Sequence, residues 1–466
     1  MEEKRKLSTI TKDIRFWIIL FFCIRLIGIS NPPLETGHNW RQSLTAMIAR
    51  NFVETDANML YPRIDMAGNE TGIIGSEFPF FNYLIYLCSL IFGYEHWYGR
   101  LINLVVSSFG IMAFCRILEK IFSPKIAYNA GLVLLSSIWF AFSRKIMPDT
   151  FSVSLVLIGL NFLYDYLMAG SKIKLTGYFI FCTLGMLCKI PSLSLFAVIS
   201  VLFLVRNIQA DRKNSALLLG GLSLVLVLVW YFYWVPYLVE NYHYQLYFPK
   251  GIAEGFYEII PLAKKFFAKF YFDALSSFIA LVFFLAGLYF LLKEQDKKII
   301  AGVTIMSTIF LFFTIKTGAV FPLHNYYIIP FVPIMAGIAG YGLSKLKAKH
   351  LSVFLLLICC EGILNQQHDF FISSKALYKL SLENKMLQYT DKNDLIVING
   401  GDSPQSMYFA HRKGWTVKEE DLQEQKLQEL KSKGAAYLVI DQHYTNKRFD
   451  QLPLVFENVD FLIYRL

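Results

Sequence analysis

Charge is scarce in this chain. Only 17% of its 466 residues are Asp, Glu, Lys or Arg, 55% are hydrophobic, and the mean hydropathy is +0.44. Ordinary soluble domains carry charge on about a quarter of their residues, so a soluble protein of two or three domains is excluded. Cysteine chemistry is equally thin. Cys23, Cys88, Cys115, Cys182, Cys188, Cys359 and Cys360 lie in apolar stretches with no CxxC pair and no nearby histidine cluster. They read as buried thiols, which excludes a disulfide framework or a zinc site. The net charge of +10 is not gathered into one basic face with interleaved aromatics, so nucleic acid is excluded as a partner. No small-residue cleavage site follows the first apolar segment, which stands behind Lys4, Arg5 and Lys6 and reads as a retained anchor. No internal repeat is evident, which weighs against a transporter built from two halves.

What the chain has is long apolar runs. A spanning helix needs about 20 apolar residues, and about eleven segments qualify. They cover approximately 14–30, 98–118, 126–143, 150–168, 175–188, 192–206, 214–235, 272–292, 299–315, 326–343 and 350–367. The expectation is a polytopic α-helical membrane protein. Lys4–Lys6, Arg116, Lys120, Lys125, Lys172, Lys174, Arg206, Arg212, Lys213, Lys293, Lys297, Lys298, Lys345, Lys347 and Lys349 all fall on one side of this layout. By the positive-inside rule that side is cytoplasmic, which also places the N-terminus there. Loops 31–97, 236–271 and 316–325 then lie outside, with the tail from 368 onward.

Residues 1–367 thus form a membrane module with a large first outer loop at 31–97, and 368–466 a small extracytoplasmic α/β domain. In the latter, LIVING and AAYLVI read as strands, 403–411 and 421–433 as helices, and VFENVDFLIYRL as a strand pair. The Asn399-Gly400-Gly401-Asp402 turn is a strand-to-helix turn, since no GxGxxG or P-loop pattern follows it. In the first outer loop, Trp40, Leu44, Ile48 and Phe52 recur at a spacing of four and predict an amphipathic helix lying on the membrane, with Trp40 as its anchor. FPFFNYLIYLCSLIFG, 78–93, is too short to span and reads as a re-entrant or interfacial helix. Asn69-Glu70-Thr71 reads as a chance glycosylation sequon.

Chemistry concentrates where polar side chains gather at the outer face. Three carboxylates fall there: Glu35 after the first span, Glu77 before the re-entrant helix, and Asp149 in the first turn of a helix, where the dipole favours an anion. Helix capping accounts for Asp149 equally well, and a solvated loop acid for Glu35. Asp56 and Asp65 sit in a more polar stretch and rank lower. Basic candidates on the same side are Arg25, Arg41, Arg63, Arg144, Lys145, Lys189, Lys316 and His324. Arg25 lies within an apolar helix, where it needs a partner or must snorkel. Around Glu35, His38, Trp40 and Arg41 complete an unusual loop. A carboxylate able to take a proton from a hydroxyl, beside cations for an anionic leaving group, suits transfer from a phosphate-linked donor.

LETGHNWRQSLTAMIARNF with LYPRID, then GSEFPFFNYL, RKIMPD and LHNYYIIPFVP, occur in the order and on the side that resemble polyprenyl-phosphate-dependent GT-C glycosyltransferases. The resemblance is to the bacterial branch of aminoarabinose transferases and relatives of protein mannosyltransferases. It implies a GT-C-like membrane module in a bacterial inner membrane and an inverting transfer from a polyprenyl-phosphate-linked sugar to a hydroxyl of an envelope acceptor. It also implies Glu35 and Asp149 as catalytic carboxylates, with His38, Arg41, Arg63, Glu77, His324 and Tyr327 binding donor phosphate or substrate. Many relatives have Asp where Glu35 stands, and the acidic-basic pair before the re-entrant segment falls on Glu77-Phe78, which lacks the lysine. Some GT-C enzymes use a divalent metal and others do not, so the resemblance leaves that cofactor open. The alternative is a transporter or flippase of lipid-linked saccharides. Against it, the acids collect at one face rather than at mid-membrane.

Overall fold

The structure, a computed structural model, describes residues 11–205, 207–244, 249–294 and 296–466. Lys4–Lys6 and Arg206, which entered the orientation reading, lie outside the described residues. The chain divides into two units. One comprises Met1–Ile29, Arg100–Phe232 and Tyr247–Phe370; the other comprises Ser30–Gly99, Tyr233–Leu246 and Phe371–Leu466.

The first unit is helical. Among the described residues six helices are long and apolar enough to cross a membrane: Tyr98–Ile121, Pro148–Ala169, Ala210–Tyr242, Lys297–Thr317, Asn325–Ser344 and Ala348–Phe370. A seventh span arises if Ile252–Asp273 and Phe278–Glu294, bent by 90° at their junction, count as one. This count does not confirm the expected eleven or so spans. All eleven apolar segments fall largely on helix, but several are interrupted. The first is a helix only over Ile14–Arg25, and 126–143 breaks after Ser136, with Trp139–Phe142 following as a separate turn. The 175–206 stretch ends its helix at Cys188 and resumes through Ile190–Leu204, because Pro191 has no N–H to continue the ladder.

Hydrocarbon gives helices no hydrophobic reason to associate, so close packing must do it. Phe278–Glu294 and Asn325–Ser344 meet backbone to backbone at Gly287 and Gly342. A Cβ on Gly287 would lie 2.0 Å from the Ile338 carbonyl oxygen, and one on Gly342 would lie 2.3 Å from that of Phe283.

The second unit is α/β. Its strands β1 (Leu395–Asn399), β2 (Gly414–Val417), β3 (Ala435–Asp441), β4 (Leu454–Glu457) and β5 (Phe461–Arg465) form one sheet ordered β2-β1-β3-β5-β4. The pairs β1–β2 and β1–β3 are parallel, and β3–β5 and β4–β5 antiparallel. These strands and the helices Gln405–Ala410 and Glu424–Ser432 follow the sequence expectation closely. The domain boundary does not: 30–99 and 233–246 belong to this unit and not to the membrane module.

The reason is the helix Asn39–Glu54. Every residue from Gln42 to Phe52 is buried, and Leu44, Met47, Ile48 and Phe52 share a core with Met407, Tyr408, Ile396 and Ile463. The helix is therefore not a membrane-surface helix: only its two ends are open, the first turn with Trp40 and the last residues Val53 and Glu54. Its buried Arg50 and Asn51 are paired within the unit. Arg50 bonds the Tyr408 carbonyl at 3.0 Å and the Asp65 carboxylate at 3.0 Å, and Asn51 donates to Asp65 at 2.8 Å. Phe80–Phe92 is a short apolar helix that buries Phe81, Asn82, Ile85 and Ser89 while exposing Leu87, Leu90, Ile91 and Phe92, as suits an interfacial element.

A titratable clamp ties the ends of this unit together. His411, itself at φ 50°, places Nδ1 2.5 Å from Glu383 and Nε2 2.9 Å from Glu54. The hydrogen bonds to Glu383 and then Glu54 raise the His411 pKa above 6.5. Its own hydrogen bond holds Glu383 below 4.5, and Glu54 is likewise lowered: burial opposes this, but His411 outweighs it. The imidazolium contribution is complete below 6.5 and is lost as pH rises through the raised folded value, while the carboxylate contributions hold above 4.5 and fade as pH falls through their lowered values. The clamp therefore contributes most between pH 4.5 and 6.5. The melting temperature of the detergent-solubilised protein is expected to decline above that window in the wild type, and His411→Asn to flatten the decline. An identical pH profile in both proteins would refute the clamp.

Candidate active site

The sequence-predicted site residues fall into two sets. Asp149, His324 and Tyr327 stand in the helical unit, and Glu35, His38, Arg41, Arg63 and Glu77 in the α/β unit.

In the helical unit, Pro148 starts the helix Pro148–Ala169 and puts Asp149 in its first turn, where the dipole stabilises the carboxylate. Asp149 is 3% exposed. Its Oδ1 lies 3.5 Å from Lys189 Nζ, and among the described residues its Oδ2 has no hydrogen-bond partner. Lys189 follows the last residue of Lys172–Cys188 with extended backbone, so the Pro191 break points a cation at the start of the neighbouring helix. Its ammonium lies 5.6 Å from the ring centroids of both Tyr326 and Tyr327. His324 stacks on Tyr326 with centroids 5.5 Å apart, and Tyr326 and Tyr327 are 4.5 Å apart. Burial, and then the Lys269 ammonium, hold the His324 imidazole below its ordinary pKa. At neutral pH His324 is therefore an uncharged donor and acceptor.

The segment leading into Asp149 is held by buried polar groups. The Asn103 carboxamide donates to the carbonyls of Phe142, Lys145 and Met147 at 3.1, 2.9 and 3.1 Å, and Thr150 Oγ1 donates to Asn103 Oδ1 at 2.9 Å. Arg144 donates to the carbonyls of Arg25 and Ile27 at 2.9 and 2.7 Å and lies over Phe370 at 4.2 Å. Arg25 is fully buried and donates to Ser143 Oγ and, at 3.0 Å, to the Phe21 carbonyl. Lys145 lies 3.7 Å from Asp369. Arg25, Arg100, Arg144 and Lys145 are all buried, so four cations lie inside this unit, of which Lys145 faces Asp369. Lys316 lies elsewhere in the unit, where its carbonyl accepts from the Lys250 amide at 2.9 Å.

In the α/β unit, Glu35 is fully buried and accepts a hydrogen bond from Asn31 Nδ2 at 3.1 Å. Its backbone bridges Ile372. His38 starts the helix Asn39–Glu54 in a left-handed conformation, φ 56°. Arg41 and Glu77 form an ion pair. Arg63 is occupied otherwise: it donates to the Thr71 carbonyl at 3.0 Å and to Asp56 at 3.3 Å, closing a loop. Asp65 is the buried partner of Arg50 and Asn51. Among the described residues no three His, Cys, Asp or Glu side chains form a metal-binding group. Asp149 faces Lys189, and Glu77 faces Arg41.

Sequence reasoning missed Arg100, Asn103 and Tyr326. Arg100, Asn103 and Ser107 recur at helical spacing within an otherwise apolar span, and that buried polar stripe was the available signal.

The chain resembles known proteins mainly in fold. A family model described as dolichyl-phosphate-mannose-protein mannosyltransferase matches residues 76–234. The structure of ArnT from Cupriavidus metallidurans in the apo state superposes with TM-score 0.62 at 13% identity, covering 96% of this chain and 97% of that one. The same protein bound to undecaprenyl phosphate gives TM-score 0.63, again at 13% identity, with 96% and 98% covered. AglB, an archaeal oligosaccharyltransferase from Archaeoglobus fulgidus, in complex with an inhibitory peptide and a dolichol-phosphate, gives 0.57 at 12% identity, covering 92% of this chain and 69% of that one. No curated protein sequence matches. The fold is that of the GT-C glycosyltransferases.

Removing one member of the nearly buried Asp149–Lys189 pair leaves the other uncompensated, at a cost of about 3 kcal/mol. Lys189→Met is therefore expected to lower the melting temperature, and the double variant with Asp149→Asn to lower it by less than the two single effects combined. Strict additivity across this cycle would show that the two side chains do not interact.

Proposed function

We propose that this chain is a membrane glycosyltransferase that moves a sugar from a polyprenyl-phosphate donor to a hydroxyl of a cell-envelope acceptor on the outer face of a bacterial cytoplasmic membrane. The observation that carries the proposal is the Asp149–Lys189 site. A buried carboxylate with one oxygen unbonded stands beside a cation, an aromatic shelf and a neutral histidine, in a fold shared with ArnT in its undecaprenyl phosphate complex. A phosphate leaving group needs cationic and hydrogen-bonding partners as its charge develops. Lys189 supplies the charge and His324 and Tyr327 the hydrogen-bonding groups. The family-model match over 76–234 includes Glu77, Asp149 and Lys189.

In the proposed reaction the acceptor oxygen forms a bond to the anomeric carbon from the face opposite the phosphate. The carbon–oxygen bond to phosphate breaks, and polyprenyl phosphate departs with the electron pair, inverting the centre. The hydroxyl proton passes to a carboxylate, which we assign to Glu35, with Asp149 orienting the sugar or acceptor hydroxyls. His38 and the Arg41–Glu77 pair line the loop that bears Glu35. Arg63, committed to Asp56 and Thr71, is not needed.

The test uses purified protein with a radiolabelled polyprenyl-phosphate sugar and a membrane extract as acceptor pool. Wild type is expected to move label from the lipid, and Glu35→Gln and Asp149→Asn to slow this by about a hundredfold or more. Label that never leaves its lipid in wild type with any acceptor pool refutes the transferase, and full transfer by both variants refutes the site.

A further inference from the structure

We infer that the sheet domain serves the reaction by holding Glu35 in place, with Gln405 as a positioning residue whose amide orientation is dictated by Lys379. The inference rests on the proposed role of Glu35 as proton acceptor.

Glu35 is tied to this domain on both sides. At and beyond it, its backbone bridges Ile372, and the Thr36 amide and hydroxyl both donate to the Phe371 carbonyl, at 3.1 and 3.3 Å. Two residues before it, the Pro33 carbonyl receives two long bonds, from Ser43 Oγ at 3.4 Å and Gln405 Nε2 at 3.5 Å. Gln405 begins the helix after β1 and its turn. Weak bonds of this length position a carbonyl only if the donor cannot turn away.

Lys379 ensures that it cannot. Its side chain is 5% exposed, and its ammonium donates to Gln405 Oε1 at 2.6 Å and to Tyr444 Oη at 2.8 Å. Among the described residues no carboxylate pairs with it. An ammonium only donates, so the oxygen of the Gln405 amide must face Lys379 and the NH2 must face Pro33. A buried ammonium held by neutral acceptors is costly where a hydrocarbon side chain would pack. Fixing the direction of one amide is what the charge achieves here.

Gln405→Glu separates the two halves of this relay. The new carboxylate keeps a partner in Lys379 but turns an acceptor, not a donor, toward Pro33. With full-length protein in detergent and a polyprenyl-phosphate sugar as donor, kcat is expected to fall about tenfold or more, as misplacement of a reacting group does. The donor KM should change by less than about twofold. Amide hydrogen exchange across 31–38 should accelerate. Lys379→Met, which keeps Gln405 but frees its amide, should show the same split, and the Gln405→Glu penalty should vanish in a Glu35→Gln background. Wild-type kcat in both folded variants overturns the inference, as does a joint loss of kcat, KM and melting temperature. Wild-type turnover by Glu35→Gln instead overturns the role of Glu35. A dead Glu35→Gln beside fully active Gln405→Glu and Lys379→Met sinks the positioning role alone.

Discussion

One carboxamide sets the geometry of the helical unit. Asn103 donates both its N–H groups to carbonyls of 142–147, and its oxygen accepts from the Thr150 and Ser107 hydroxyls. It thereby satisfies a stretch of non-helical backbone that would be intolerable in hydrocarbon without partners. Because that stretch is held, Pro148 can start a helix at a defined point and Asp149 can occupy its first turn. At the break that Pro191 imposes, the end of one helix offers the Lys189 cation to the start of Pro148–Ala169, and the Asp149 oxygen without a hydrogen-bond partner among the described residues remains as binding capacity.

The α/β unit solves a different problem. A loop helix carrying Gln42, Arg50 and Asn51 would be a poor amphipathic element on a membrane, since its polar residues circle the helix. Inside a protein core the same residues are assets once paired, as Arg50 and Asn51 are with Asp65. The helix joins the outer loop to the sheet, and the Glu35 segment is fixed by that packing.

Much of this was legible in the sequence where the signal is local. The strands at 395–399 and 435–441 stand out as short β-branched runs between turn residues, and Gly170 and Pro148 bound a helix as expected. Arg41 and Glu77 were each read as site candidates, but their pairing was not. What depended on remote partners was not legible. The apolar stripe of Trp40, Leu44, Ile48 and Phe52 is the same whether it meets lipid or Met407 and Ile463, so the membrane reading was as good as any from periodicity alone. Lys189 and Asp149 are 40 positions apart, and only the break at Pro191 hints that the lysine points inward. The breaks inside the apolar segments were hidden for the same reason: apolar composition persists through Ser137 and Lys189–Pro191, where the hydrogen-bond ladder does not.

The shared core of the outer loop and the sheet also dictates an order of events during synthesis. Leu44, Met47 and Phe52 are made long before Met407, Val439 and Ile463, which close their core. The nascent outer loop therefore waits through insertion of every intervening helix before it can fold. A ribosome that stops short of the final strands leaves a membrane module whose outer loop has no partner, an exposed apolar surface of the kind quality-control proteases recognise.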